Sequence, residues 1–248
     1  MHSLKARRAF ITGGTAGIGL AVARSYVEAG AEVVIAGRRA EGEAIASSFG
    51  ARFQQLDVGD GQAVADALAD FAQEVGPLDI LVNNAGVAHD ESLDALSPEA
   101  IEETIAVNLK GVLYGLVHGP PHMPDGGVII NTSSVSGVLS SPASLVYSAC
   151  KAAVNSMTAS AAIELGPRRI RVNAVLPGGV ATDMALPAAL FDTLTTLGRE
   201  GQVEDMVGLY NFLASDASAY ISGQSICIDG GLTAGLSVPV VEQILGGE

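Results

Sequence analysis

Short apolar runs alternate with stretches of helical spacing along the whole chain. The strand-like runs are Arg8–Ile11, Glu32–Ala36, Arg52–Leu56, Ile80–Val82, Val128–Asn131, Arg171–Val175 and Ser225–Ile228. Several are continuously apolar, as strands covered on both faces should be. Alternating β and α predicts an α/β fold: a doubly wound, seven-stranded, mainly parallel sheet with right-handed crossovers and helices on both faces. No internal repeat, low-complexity block or linker interrupts the pattern, so residues 1–248 read as one domain. In such sheets ligands bind beyond the strands' C-terminal ends. Residues just after each strand are therefore the first candidates for chemistry.

The first strand is followed by Thr12-Gly13-Gly14-Thr15-Ala16-Gly17-Ile18-Gly19, which opens a helical pattern through Val27. Strand, glycine turn and helix form the Rossmann-type context in which such a loop binds a dinucleotide. Gly13 permits the tight turn, Gly17 lets the backbone approach a pyrophosphate, and Gly19 lets the helix pack closely. The spacing is G-x-x-x-G-x-G rather than the commoner G-x-G-x-x-G. Further along, Ser134 follows the fifth strand, and Tyr147 and Lys151 stand four residues apart. Positions i and i+4 share a helix face, so the ammonium can lie beside the phenol. A free phenol has a pKa of about 10, and bringing it to about 7 takes roughly 4 kcal/mol of preference for the phenolate. An ammonium and a cationic nicotinamide are sources of that preference. A Tyr-x-x-x-Lys pair alone is common on helix surfaces; the glycine loop upstream gives it weight.

Together these segments resemble the short-chain dehydrogenase/reductase family, of the single-domain type. Thr12 to Gly19 matches the cofactor glycine motif, and Asn83-Asn84-Ala85-Gly86 the motif that braces the central strand. Asn108 falls where the family keeps a helix asparagine. Ser134, Tyr147 and Lys151 match the catalytic positions, Pro177-Gly178 with Thr182 the loop over the nicotinamide, and Asp229-Gly230-Gly231 the last strand's exit turn. The resemblance implies hydride transfer between a nicotinamide cofactor and a carbonyl or alcohol. It gives Ser134 the polarising hydrogen bond, Tyr147 the proton and Lys151 the nicotinamide ribose, with Asn108 holding a relay water. It also implies cofactor contacts from Gly13, Thr15, Gly17, Ile18, Gly19, Asp57, Val58, Asn84, Ala85, Gly86, Tyr147, Lys151, Pro177, Gly178, Val180 and Thr182. A homotetramer or homodimer is expected on the same analogy.

Cofactor choice turns on Gly37-Arg38-Arg39 after the second strand. NAD enzymes of this type normally close that strand with an acidic residue that binds the ribose hydroxyls. Gly37 has none to offer, and guanidinium groups match a phosphate in charge and geometry. NADP(H) is therefore favoured through Arg38 and Arg39, with NAD(H) possible. The expected substrate pocket is lined by His89 and Asp90, by Ser136 to Val146 and by Gly179 to Leu197, with Ser134, Ser136, Leu145, Tyr147, Gly179 and Met184 as its principal residues. A lid is expected at residues 183–200, and the tail at 232–248 can reach a neighbouring subunit or cover a pocket. The weakly polar segment 136–142 and the apolar lid point to a small hydrophobic ketone or secondary alcohol.

Net charge narrows the partners. A formal charge of −14 opposes binding to nucleic acid or an anionic membrane. The first residues carry no long apolar stretch, which leaves a cytoplasmic location as the expectation. Cys150 and Cys227 lie in apolar elements and read as buried thiols, and the four histidines show no metal-ligand spacing. An NAD-dependent alcohol dehydrogenase and a 3-oxoacyl-carrier-protein reductase remain alternatives within the family. Outside redox chemistry, a cofactor-binding regulator should have lost Tyr147 or Lys151. A lyase- or dehalogenase-type relative should have lost the glycine loop.

Overall fold

The computed structural model describes residues 2–89, 91–182 and 188–246. Its centre is a seven-stranded sheet of β1 (Arg8–Thr12), β2 (Glu32–Gly37), β3 (Arg52–Gln55), β4 (Ile80–Asn83), β5 (Val128–Thr132), β6 (Arg171–Pro177) and β7 (Ser225–Ile228). The order is β3-β2-β1-β4-β5-β6-β7, with every neighbouring pair parallel. Winding reverses between β1 and β4, which opens a crevice above their C-terminal ends. The helices are α1 (Gly17–Glu28), α2 (Gly42–Ser47), α3 (Gly61–Glu74), α4 (Pro98–Ile105), α5 (Gly111–His118), α6 (Leu145–Leu165), α7 (Ala189–Leu194), α8 (Val203–Ala214) and α9 (Val238–Leu245).

Both sheet faces are covered, as the continuous apolar runs require. Ile11, Ile35, Val82 and Ile130 face α1 and α8, where Tyr26 and Tyr210 are buried. Phe10, Val34, Leu81 and Ile129 face the opposite layer, which includes Leu68 and Phe71 of α3. The central strands run one or two residues beyond their apolar runs. Asn83 and Asn131 carry the ladder onward because Asn83 Nδ2 donates to Asn131 Oδ1 at 2.9 Å. Asn131 Nδ2 in turn donates to Thr158 Oγ1 of α6 at 2.9 Å, so the buried amides are paired.

One expectation changes here. Cys227 is exposed rather than a buried thiol, because β7 is an edge strand and alternate side chains on it face outward. Asn108 sits in a π-helical turn, Ala106–Lys110, between α4 and α5. Gly119-Pro120-Pro121 ends α5 at His118, since proline cannot continue the ladder. The tail folds into α9, which packs on α7. Ser237 holds it there by donating its hydroxyl to the Thr193 carbonyl.

Candidate active site

The glycine turn is built by close approach. Gly13 and Gly17 have φ of +65° and +50°, where a side chain is strained. A Cβ on Gly13 would lie 2.8 Å from Ala85 Cα. Asn84 locks the turn from the side: its Nδ2 donates to the carbonyls of Thr12 and Gly13, each at 3.2 Å. Thr12 Oγ1 accepts from the backbone N–H groups of Asn84 and Ala85 at 2.9 and 3.1 Å. Thr132 Oγ1 donates to Asn84 Oδ1 and so fixes which way the amide faces. Ala16 precedes α1 without a side-chain cap, so the first N–H groups of the helix stay open to an anion.

A cavity of about 840 Å³ runs across the strand ends. At one end it is lined by Arg38, Arg39, Asp57 and Val58, and past the glycine turn by Asn84, Ala85 and Gly86. Thr15, beside Gly37, and Ile18, Pro177, Gly178, Val180 and Thr182 line it as well. Uncapped helix N–H groups, side-chain-free glycines and two guanidinium groups are the donor set a phosphorylated dinucleotide needs, so the residues present fit that group.

Ser134, Tyr147 and Lys151 border the same cavity. Ser134 caps the short turn Val135–Gly137, where its Oγ accepts from the Ser136 N–H at 3.1 Å. Lys151 is almost wholly buried. Its Nζ donates to the Thr132 carbonyl at 2.9 Å and lies 5.5 Å from the centre of the Tyr147 ring. Ser133 Oγ pins the lysine's backbone by donating to its carbonyl at 2.9 Å. Asn108 is fully buried behind them. Its Nδ2 donates to the Val87 and Thr104 carbonyls, and its Oδ1 accepts from the Val87 N–H. The amide is thus engaged with the segment after β4 and does not line the cavity.

Three further expectations are corrected. Leu145 is exposed and faces a second groove outside segment 136–145; two residues before Tyr147 it lies on nearly the opposite side of the helix. Gly19 does not line the cavity as a cofactor contact; it faces inward, where a Cβ would lie 2.3 Å from the Gly13 carbonyl oxygen, in keeping with the close helix packing expected of it. His89 turns to Glu103, with Nε2 and Oε2 3.1 Å apart, instead of the substrate space. Ser136 and Gly179 do line the cavity. Met184 and Asp90 lie outside the described residues, as do residues 183–187 of the lid. Leu139 of the expected segment 136–146 and Leu190 and Leu194 of the expected segment 179–197 line the cavity too, whereas Leu232 is a wall residue outside both segments.

A family model described as Enoyl-(Acyl carrier protein) reductase matches residues 13–233. A solved short-chain type dehydrogenase/reductase from Mycobacterium marinum superposes with a TM-score of 0.88 at 36% identity, covering 94% of this chain and 98% of that one. The chain belongs to the short-chain dehydrogenase/reductase family. This short-chain dehydrogenase/reductase is an oxidoreductase acting on CH–OH and C=O groups. It is 39% identical to the NADP-dependent (R)-specific alcohol dehydrogenase of Lentilactobacillus kefiri, over 93% of this chain and 98% of that protein. A gluconate 5-dehydrogenase from Burkholderia cenocepacia, solved with NADP and tartrate, is 36% identical. Its TM-score is 0.89, with 94% of this chain and 98% of that chain covered.

In this short-chain dehydrogenase/reductase, burial pushes the Lys151 ammonium down to about 8, against a smaller opposing effect of the Cys150 thiol. An unfolded lysine titrates at about 10.4. Below pH 8 both states are protonated, and the folded state carries the full cost of a buried cation. As the pH rises from about 8 towards 10 the folded state loses its proton first, so that cost fades. Urea unfolding of the cofactor-free protein should therefore show wild type gaining stability relative to Lys151→Met across this window. A difference between the two that stays flat from pH 7 to 10 would mean the ammonium is not buried as described.

Proposed function

We propose that this enzyme transfers hydride between NADP(H) and a small, hydrophobic ketone or secondary alcohol, with Tyr147 as the acid/base. The carrying observation is one continuous cavity with Arg38 and Arg39 at one end and an uncharged apolar space at the other. Ser134, Tyr147 and Lys151 lie on its wall. Val135, Leu139, Pro142, Leu190, Phe191 and Leu194 surround the substrate end, with serine hydroxyls between them. The charged groups lining the cavity among the described residues are Arg38, Arg39, Asp57 and Lys151. A sugar acid would bring a carboxylate to the apolar end with no cation left to meet it, which favours a neutral substrate.

The bound dinucleotide supplies the hydride. Ser134 donates its hydroxyl hydrogen to the substrate oxygen and polarises the carbonyl. Tyr147 gives its phenolic proton to that oxygen as the carbon is reduced, and takes it back in the reverse direction. Lys151, steered by the Thr132 carbonyl, stabilises the phenolate and reaches the nicotinamide ribose. Asn108 holds the segment after β4 in place, and its main chain is the part left to anchor a relay water. Of the basic cluster Arg168, Arg169 and Arg171, Arg168 is held by Asp125 and the carbonyls of Pro120 and Met123 and Arg171 by Ser215 and Ser218, which leaves exposed Arg169 as a weak docking site for an acidic carrier protein. We also infer a cytoplasmic homotetramer or homodimer. Exposed Leu113, Val117 and Ile163 on α5 and α6 support the association. Among the described residues no helix is long and apolar enough to cross a membrane.

Calorimetric titration with NADPH and NADH tests the cofactor, and oxidation of NADPH by a ketone panel tests the chemistry. NADPH should bind at least about tenfold tighter, the equivalent of 1.4 kcal/mol. Aliphatic and aryl ketones should be reduced and 5-ketogluconate left untouched. Tighter NADH binding would redirect the search to NAD-dependent alcohol oxidation. Binding of neither nucleotide would overturn the redox reading.

A further inference from the structure

At the Arg38 end of the cavity, one carboxylate joins three separate segments. Glu103, near the end of α4, places Oε1 3.2 Å from Arg38 Nη1 and Oε2 3.1 Å from His89 Nε2. Arg38 follows β2 and His89 follows β4, so the bridge ties the exits of these two strands together beside the cavity that Arg38 lines. Both partners hold the Glu103 carboxyl below its usual range, Arg38 most strongly. Among the described residues Glu103 is the one carboxylate in ion-pair range of Arg38. Asp57, the nearest acidic cavity residue in the chain's order, instead accepts from its own Gly59 N–H at 2.9 Å.

We propose that Glu103 is a specificity-determining residue for the coenzyme, weakening the hold of Arg38 on a 2′-phosphate and so limiting the preference for NADPH over NADH. The inference rests on the NADP(H) reading of Arg38. A guanidinium that grips a phosphate through its fork brings that dianion to within a few ångströms of any carboxylate bound to the same guanidinium. In this arrangement Glu103 acts twice against NADPH. It occupies Nη1, which must be released or shared, and it leaves a negative charge beside an incoming charge of about −1.5 to −2. NADH has no 2′-phosphate and meets neither obstacle. The second contact, to His89, keeps Glu103 in place when Arg38 turns away, so the repulsion persists in the complex. Glu103, Arg38 and His89 are all partly exposed, so the effect is a moderate one, set by a solvated rather than a dry pair.

Glu103→Gln removes the charge and keeps the size and the hydrogen-bonding oxygen. Calorimetric titration of wild type, Glu103→Gln and Arg38→Ala with NADPH and with NADH is the test. Glu103→Gln should bind NADPH about three- to tenfold tighter and NADH within twofold of wild type. An NADPH-to-NADH affinity ratio within twofold of wild type, or a fall in NADPH affinity, would overturn the proposal. Arg38→Ala separates the two levels. If it weakens NADPH while Glu103→Gln changes nothing, the role of Glu103 fails and the NADP(H) reading stands. If Arg38→Ala leaves NADPH affinity untouched, Arg38 does not read the phosphate and the role of Glu103 falls, while the NADP(H) reading falls only if wild type also fails to bind NADPH tighter than NADH.

Discussion

Tyr147→Phe should lower turnover by roughly 10²–10⁴ while leaving NADPH affinity within about threefold of wild type. The two effects separate because the ring and the hydroxyl do different work. Lys151 lies 5.5 Å from the ring centre and is held by the Thr132 carbonyl, a contact that does not involve the phenol. Phenylalanine therefore preserves the wall of the cavity and the ammonium beneath it. On the proposed mechanism, what disappears is the proton that reaches the substrate oxygen when its carbon takes hydride. Ser134 cannot replace it, since a serine hydroxyl is too weak an acid at neutral pH to give up its proton at a useful rate. The decisive comparison is single-turnover oxidation of enzyme-bound NADPH alongside calorimetric NADPH affinity. More than half of wild-type turnover in the variant would remove Tyr147 from the acid/base role. A parallel loss of NADPH affinity would mean the hydroxyl serves binding instead.

The fold was readable because the central strands announce themselves. Ile80–Val82 and Val128–Asn131 are almost continuously apolar, and a parallel sheet sandwiched between helices demands that. Their true ends were harder to see. Asn83 and Thr132 look like loop residues until Asn83 pairs with Asn131 across the sheet. The cavity wall after β1, β2, β4 and β6 was legible for a related reason: at each strand end the chain must turn, and its neighbours in sequence are forced into the crevice. Leu145 reads as a pocket residue from its nearness to Tyr147 in sequence, yet helix geometry alone separates the two, because residues two apart do not share a face. The link between Arg38 and Glu103 spans 65 positions, and nothing local in either segment announces the other. His89 reads as a pocket residue for the same reason, its partner lying on a helix whose rotation the sequence leaves open. Cys227 depended on knowing that β7 ends the sheet, a property of strand order rather than of the strand.

Gly19→Ala should destabilise the cofactor-free protein by about 1–3 kcal/mol, the usual cost of overpacking a tight site, and weaken NADPH binding at least about tenfold. The added methyl would lie 2.3 Å from the Gly13 carbonyl oxygen and 2.4 Å from Asn84 Nδ2. Neither atom can retreat freely. The same Asn84 amide nitrogen already donates to that carbonyl and to Thr12, and its oxygen accepts from Thr132. Relief therefore has to come from shifting α1 or the glycine turn, which moves the N–H groups expected to meet the pyrophosphate. The better helix propensity of alanine offsets at most about 1 kcal/mol of this. Gly50→Ala is the matched control. Gly50 has φ of +81° but open space around it, so it carries a backbone penalty of similar sign, and it does not line the cavity. Thermal unfolding should show both variants weakened, whereas calorimetry should show the loss of NADPH affinity in Gly19→Ala alone. Wild-type affinity in Gly19→Ala would mean that the turn binds through Gly13 and Gly17 without support from beneath. Equal losses in the two variants would make the effect one of global stability, with no special place for the packing of α1 on the turn.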